Sequence, residues 1–122
     1  MPRLQSKERG AAAVEFALVL PILLLLVVGI IEFGRLYNAQ IVMTNAAREA
    51  ARTMAVTKDA GLAVSAAQAV AGGYTINVAP GTCTPDTQVT STVTSQVDLL
   101  TGSWFTFGPV NLTGIGAMRC GG

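Results

Sequence analysis

The pattern of apolar and polar positions begins with one long apolar run. From Phe16 to Ile31 there are 16 residues without a charge, and from Ala11 to Ile31 there are 21 with Glu15 as the one charged position. A helix needs about 20 predominantly apolar residues to cross the hydrocarbon core of a bilayer. The longer segment is long enough to cross the bilayer, and the shorter one is marginal for this. The pattern therefore predicts a transmembrane helix over residues 11–34.

Pro21 and Gly29 lie inside this run, and both residue types are tolerated in membrane helices. Basic residues precede the run and predict a cytoplasmic N-terminus with the rest of the chain across the membrane: Arg3, Lys7 and Arg9, against Glu8. A cleaved secretory signal has an apolar core of about 7–15 residues followed by a small-x-small site. The run here is longer and Tyr37-Asn38-Ala39 is a poor site, so we expect a retained single-pass anchor. Release by signal peptidase near Asn38 is the weaker alternative.

Helical signals continue from residue 35 to about residue 58, with many alanines and no proline or glycine. A narrow apolar stripe recurs here at spacings of four, three and four: Met43, Ala47, Ala50 and Met54. We expect the stripe to pack on the chain's own small domain. The alternative is a seam between subunits. Arg48 and Arg52 are predicted to face solvent, with Glu49 pairing with Arg52.

Residues 59–122 carry the signals of a small mixed domain. Asp59 to Ala71 is predicted to be a short helix that Gly72-Gly73 ends. Strict alternation from Val89 to Leu99 is typical of an antiparallel strand with one face on a core. Further strands are predicted at Tyr74–Val78, Ser103–Phe107 and Leu112–Met118. The fold class is therefore α+β: a long N-terminal helix, then a short helix and a small antiparallel β-sheet domain.

Cys83 and Cys120 are the only cysteines. Outside the cytoplasm a disulfide is the natural expectation, and closing this loop would stabilise the fold by roughly 3–4 kcal/mol. Two free thiols are the alternative if the domain faces the cytoplasm. For the aromatic residues Trp104, Phe105 and Phe107 the default expectation is that they fill the core. Trp104 alternates away from the two phenylalanines and is therefore the one to test as a contact residue.

Composition narrows the function classes. The chain is 51% apolar and 12% charged, with mean hydropathy +0.51, and its net charge of +1 gives no reason to expect a nucleic-acid partner. From residue 60 onward only Asp86, Asp98 and Arg119 are charged, which favours packing against neighbouring subunits. The alternative is a low-charge extracytoplasmic domain without partners. There is no histidine and no phosphate-binding loop. We therefore expect no enzyme activity, no cofactor and no metal site.

Two motifs flank the run and carry a family resemblance. Gly10-Ala11-Ala12-Ala13-Val14-Glu15-Phe16 matches the type IV prepilin pattern of glycine, four residues and glutamate. Asn45-Ala46-Ala47-Arg48-Glu49-Ala50-Ala51-Arg52 resembles the second signature of the TadE-like pseudopilins of tight-adherence (Tad, Flp-type) pilus systems. Gly116-Ala117-Met118-Arg119 is similar to the way in which those domains end.

The resemblance implies that a prepilin peptidase cleaves after Gly10, removing leader residues 1–10 and leaving Ala11 with a new amino group. Glu15 and Phe16 would then act in assembly, with the Glu15 carboxylate pairing with the N-terminal amine of a neighbouring subunit. An ammonium partner removes much of the penalty of a carboxylate in hydrocarbon, which is on the order of 3 kcal/mol.

The implied partners are the peptidase, other pilin subunits, the inner-membrane assembly platform and membrane lipid. The implied location is the bacterial inner membrane and then a surface fibre, with roles in adhesion and secretion. Because the major subunits of such fibres are much shorter, the chain is expected to be a minor pilin. The alternative is a bitopic scaffold or partner-binding protein that is never processed or assembled. The motifs do not separate a TadE-like from a TadF-like role.

Overall fold

The chain forms one long helix followed by a short helix and a small three-stranded antiparallel sheet. The computed structural model describes residues 2–105 and 108–121, with side chains from residue 7 onward. It divides into two units, Met1–Gly34 and Arg35–Gly122. The elements are α1 (Pro2–Thr57), α2 (Ala60–Val70), β1 (Thr75–Ala79), β2 (Gln88–Val97), α3 (Gly102–Phe105) and β3 (Val110–Arg119). This is the α+β arrangement that the sequence predicts.

Helix α1 ends where the sequence predicts, and a tight turn leads into α2. Lys58 follows the helix with a φ of 58°, the left-handed conformation common after a helix C-terminus. Its N–H donates to the Met54 carbonyl at 2.9 Å. Asp59 then caps α2, since its Oδ1 accepts from the N–H groups of Gly61 at 2.8 Å and Leu62 at 3.3 Å. A side-chain oxygen at this position satisfies backbone donors that have no partner within the helix.

Strand β2 is the centre of the sheet and pairs antiparallel with β1 and β3. Its alternation produces the predicted two faces, because Val89, Ser91 and Val93 are buried while the even positions between them are not. Val93 pairs with Ile76 on one side and Gly114 on the other. The strand ends at Val97, two residues before the predicted end at Leu99.

The apolar stripe of α1 packs on the sheet, as predicted, rather than lying open as a seam for other subunits. Met43, Ala47, Ala50 and Met54 are all fully buried in the domain core. The contact is made backbone to backbone. A Cβ built on Gly114 would lie 2.6 Å from the Met43 carbonyl carbon, and one on Gly116 would lie 2.6 Å from that of Ala47. Strand β3 therefore lies against α1 at a distance that only glycine permits.

The prediction of a strand at Ser103–Phe107 is wrong for residues 103–105, the part that the structure describes. Gly102–Phe105 forms the helical turn α3 instead, with the N–H groups of Trp104 and Phe105 donating to the Thr101 carbonyl. Alternation of side chains over only five residues does not distinguish a strand from a helical turn. Phe105 is half exposed, so the core role predicted for it is also wrong. Phe107 lies outside the described residues.

A disulfide joins Cys83 to Cys120, 37 residues apart, as the sequence analysis expected. Both cysteines are buried at the rim of the core. The N–H of Cys120 donates to the Thr87 carbonyl at 2.8 Å, and the N–H of Gly121 donates to the Ala55 carbonyl at 3.3 Å. The residues that follow β3 are thus held both to the loop before β2 and to α1.

Replacing Gly116 with alanine should destabilise the domain, because the new methyl group meets the α1 backbone, which has no flexible atom to move aside. Overpacking of this kind costs about 1–3 kcal/mol. Chemical denaturation of the full chain in detergent measures the loss. Gly81→Ala is the matched control, since a Cβ at Gly81 meets nothing within 4 Å. Equal unfolding midpoints for the two variants would contradict the close contact.

Replacing Ser91 with alanine should stabilise the domain by about 1 kcal/mol. The Ser91 hydroxyl is fully buried and is the one buried side-chain oxygen or nitrogen without a hydrogen bond among the described residues. A buried unsatisfied polar group costs about 1–3 kcal/mol. Ser65→Ala is the control, because the exposed Ser65 hydroxyl donates to the Gly61 carbonyl at 2.9 Å. A lower unfolding midpoint for Ser91→Ala would show that the hydroxyl has a partner.

Candidate assembly site on helix α1

The part of α1 in the first unit exposes apolar side chains all around the helix. The exposed large apolar residues from Val14 to Ile31 have between 38% and 71% of their surface accessible. A helix that is apolar on every side belongs inside a large protein or a membrane. By length and composition, α1 is able to cross a membrane. Lipid or the apolar helices of other subunits are therefore the surroundings that this segment suits.

The residues predicted to lie in the membrane are all helical. The helix continues through Pro21, whose missing N–H leaves the Ala17 carbonyl without its usual partner. Gly29 has open space around it, since an added Cβ would meet nothing within 4 Å. Phe16 and Ile31, the two ends of the uncharged run, are both exposed.

The predicted processing site lies within α1 and is open to an enzyme. Gly10 and Ala11 are both exposed, and a Cβ at Gly10 would meet nothing within 4 Å. Glycine is about 1 kcal/mol less favourable than alanine in a helix interior. Gly10 therefore lowers the cost of opening the helix at the bond that the sequence predicts to be cleaved.

Glu15 stands one turn beyond Ala11 on the same helix. Residues four apart share one face, and four residues rise about 6 Å along the axis. Glu15 is exposed, and among the side chains that the structure describes it has no hydrogen bond or salt bridge. The carboxylate is thus available to a partner outside the described part of the chain, with Phe16 exposed beside it.

The helical motif Asn45–Arg52 has one side buried in the domain and one side open to solvent. Ala46, Ala47, Ala50 and Ala51 are buried in the domain. The polar members of the motif line an open groove of about 570 Å³ beside β3: Asn45, Arg48, Glu49 and Arg52. Arg48 and Arg52 are exposed, as predicted. The predicted Glu49–Arg52 ion pair is not formed in the described structure. An ion pair between exposed side chains adds little to the stability of a protein, so little favours its formation here.

The two distant segments that carry the family resemblance lie against each other in the fold. Gly116, from the C-terminal segment, packs on the backbone of Ala47, from the helical motif. Sequence reasoning treated these segments separately and missed both this contact and that of Gly114 with Met43. The signal available was the Gly-x-Gly spacing in a predicted strand, since glycine inside a strand often marks a close backbone approach.

Within the described residues, no group of three or more histidine, cysteine, aspartate or glutamate side chains is placed to hold a metal ion. The two cysteines are engaged in the disulfide. On its described surface the chain presents the exposed Glu15 carboxylate in an apolar part of α1 and a groove lined by Arg48 and Arg52.

Comparison with known proteins finds a family similarity within the long helix. The family model described as TadE-like protein matches residues 10–52. No curated protein and no solved structure matches the chain. The match begins at Gly10 and ends at Arg52, so it contains the predicted processing site, the apolar run and the polar motif. From Gly10 to Arg52 the chain is thus similar to TadE-like proteins of Tad pilus systems, which confirms the resemblance found in the sequence.

Proposed function

We propose that this chain is a minor pilin or pseudopilin of a Tad-type adhesive pilus, cleaved after Gly10 by a prepilin peptidase. The observation that carries the proposal is the TadE-like match over residues 10–52, which begins at the glycine and covers a helix whose apolar side chains are exposed. A helix with this surface is suited to two environments in turn: the inner membrane before assembly and the packed core of a fibre after it.

Cleavage changes the charge at the start of the helix. The leader contains Arg3, Lys7 and Arg9, and positive residues hold an N-terminus on the cytoplasmic side. Their removal leaves one ammonium group on Ala11. The helix then carries one positive and one negative group, Ala11 and Glu15, at the edge of an otherwise apolar surface.

Transfer from lipid to fibre requires little change in solvation of the apolar side chains. Lipid tails are as apolar as leucine, so association of helices in a membrane depends on packing and polar contacts rather than on the hydrophobic effect. An ammonium on a neighbouring subunit would remove much of the penalty of the Glu15 carboxylate in an apolar environment. Because the pair forms at one axial offset, it would also set the register between subunits.

Head-to-tail contacts of this kind generate a helical fibre rather than a closed ring. The partners of the proposal are accordingly the prepilin peptidase, other pilin subunits and the inner-membrane assembly platform. The domain Arg35–Gly122 would lie outside the cytoplasm, where its disulfide is stable.

The mature chain in membranes of the native host should begin at Ala11. Mass spectrometry of the N-terminal peptide measures this, and Gly10→Val should accumulate the uncleaved form. Gly29→Ala is the control, because Gly29 also has open space around it but lies away from the site. A wild-type chain beginning at Met1 or Pro2 would instead support an unprocessed bitopic scaffold. One beginning near Asn38 would indicate signal peptidase.

Glu15→Ala should be cleaved normally and should fail to enter the fibre. A charge at the centre of a membrane helix costs about 2.5–3.5 kcal/mol, and Glu15, near the end of the run, would pay part of this penalty in lipid. Since each 1.4 kcal/mol is tenfold, loss of about half of it should lower the fibre-to-membrane ratio about tenfold. Immunoblots of sheared fibres and of membranes measure the ratio. Glu8→Ala is the control, since cleavage removes that residue. An unchanged ratio for Glu15→Ala would refute the role of the carboxylate.

A further inference from the structure

The connection between β2 and β3 carries the most exposed large apolar side chain of the described residues. Trp104 is 80% exposed, and Leu100 and Phe105 beside it in sequence are 59% and 50% exposed. Residues 98–109 contain one charged residue, Asp98, and no lysine or arginine. Exposed apolar side chains grouped in one short connection are a candidate contact site.

The direction of β3 places this connection at one end of the domain. Gln40 Nε2 donates to the Thr113 carbonyl at 2.8 Å, and the N–H of Gly121 donates to the Ala55 carbonyl at 3.3 Å. Residue numbers therefore rise in the same direction along β3 and along the part of α1 in this unit. The start of β3, and the connection before it, face the end at which α1 enters the domain.

Distances along the two elements locate the connection more closely. Val110 precedes Thr113 by three strand residues, about 10 Å at 3.3–3.4 Å per residue. Arg35 precedes Gln40 by five helical residues, about 7.5 Å at 1.5 Å per residue. The first residue of β3 is thus approximately level with Arg35, the first residue of the unit. The described residues of the connection, 98–105 and 108–109, lie at this end.

The apolar run ends at Ile31, four residues before Arg35 in the sequence. Four residues span about 6 Å in a helix and at most about 14 Å when fully extended. When the run crosses a bilayer, this end of the domain is therefore held at the headgroups. We infer that Trp104, together with Leu100 and Phe105, inserts into the membrane interface and forms a second lipid contact besides the anchor.

Lipid fits this surface better than a protein partner does. Tryptophan and tyrosine favour the membrane interface, where the ring is buried and the polar atom stays wet. Tyr37, on α1 two residues after Arg35, is also exposed, at 61%. As long as the subunit is in the membrane, the anchor keeps the bilayer beside this end of the domain, which gives the lipid a high effective concentration. A soluble partner has no such advantage.

The contact would orient the domain on the membrane and would have to be released when the subunit enters a fibre. It rests on the membrane anchor of the proposed function, but not on cleavage after Gly10 or on assembly. Failure of the lipid contact would therefore leave the processing result unaffected, and an unprocessed chain would still place Trp104 at the interface.

Because Trp104 is the only tryptophan, the fluorescence of the full chain in phosphatidylcholine vesicles reports on this residue directly. We expect emission at shorter wavelength than in the unfolded chain, and weak quenching by aqueous acrylamide. A spin-labelled lipid with the label near the headgroup should quench strongly, and one with the label at the chain end should quench weakly. The wild-type chain is used, so no folding defect can intervene.

The matched control moves the tryptophan away from the membrane. In the double variant Trp104→Phe, Ile115→Trp, the probe occupies a position that is 60% exposed, on a part of β3 beyond Thr113. The fluorescence of this tryptophan should have its maximum at long wavelength. Aqueous acrylamide should quench it, and neither spin-labelled lipid should.

Three results would overturn the inference. The first is water-like emission of Trp104 without lipid quenching. The second is short-wavelength emission that depends on the protein-to-lipid ratio and is insensitive to labelled lipid, which would show a second copy covering Trp104. The third is a chain that does not float with the vesicles, since the contact requires the anchor.

Discussion

The close backbone contact between β3 and α1 is the constraint on which the domain depends. Gly114 and Gly116 lie against the backbones of Met43 and Ala47 so tightly that a Cβ has no room. This contact brings the whole sheet onto the alanine face of the helix and closes the core with small residues. A core with so few large side chains has little apolar area to bury. Close packing and the Cys83–Cys120 disulfide are therefore what this domain relies on.

The long helix has two kinds of surface, one in each of its two parts. Before Gly34 its large apolar residues are exposed, as suits lipid or neighbouring helices. After Arg35 it presents alanine and methionine to the sheet and polar residues to water. The TadE-like match covers most of both parts, which is why the family signal combines a membrane-like run with a packing motif.

Much of the fold follows from local pattern. The length of the apolar run, the end of α1 at Thr57, the capped helix α2 and the alternation in β2 all rest on periodicity or on residues with strong turn and cap preferences. The glycine-to-glutamate spacing and the Asn45–Arg52 motif also suffice for the resemblance to TadE-like proteins, which the family match confirms. These signals require no knowledge of which segments meet.

Tertiary structure alone decided the features that depend on distant contacts. Three features have no signature in a short window of sequence. They are the turn α3 in place of a strand, the burial of the Ser91 hydroxyl without a partner, and the absence of a Glu49–Arg52 ion pair from the described structure. The contact of Gly116 with Ala47, and the position of the start of β3 near the start of the domain, arise from how β3 runs along α1. Sequence determined the elements and the membrane-like helix because those are local properties, whereas packing joins residues about seventy positions apart and is decided only when the chain folds.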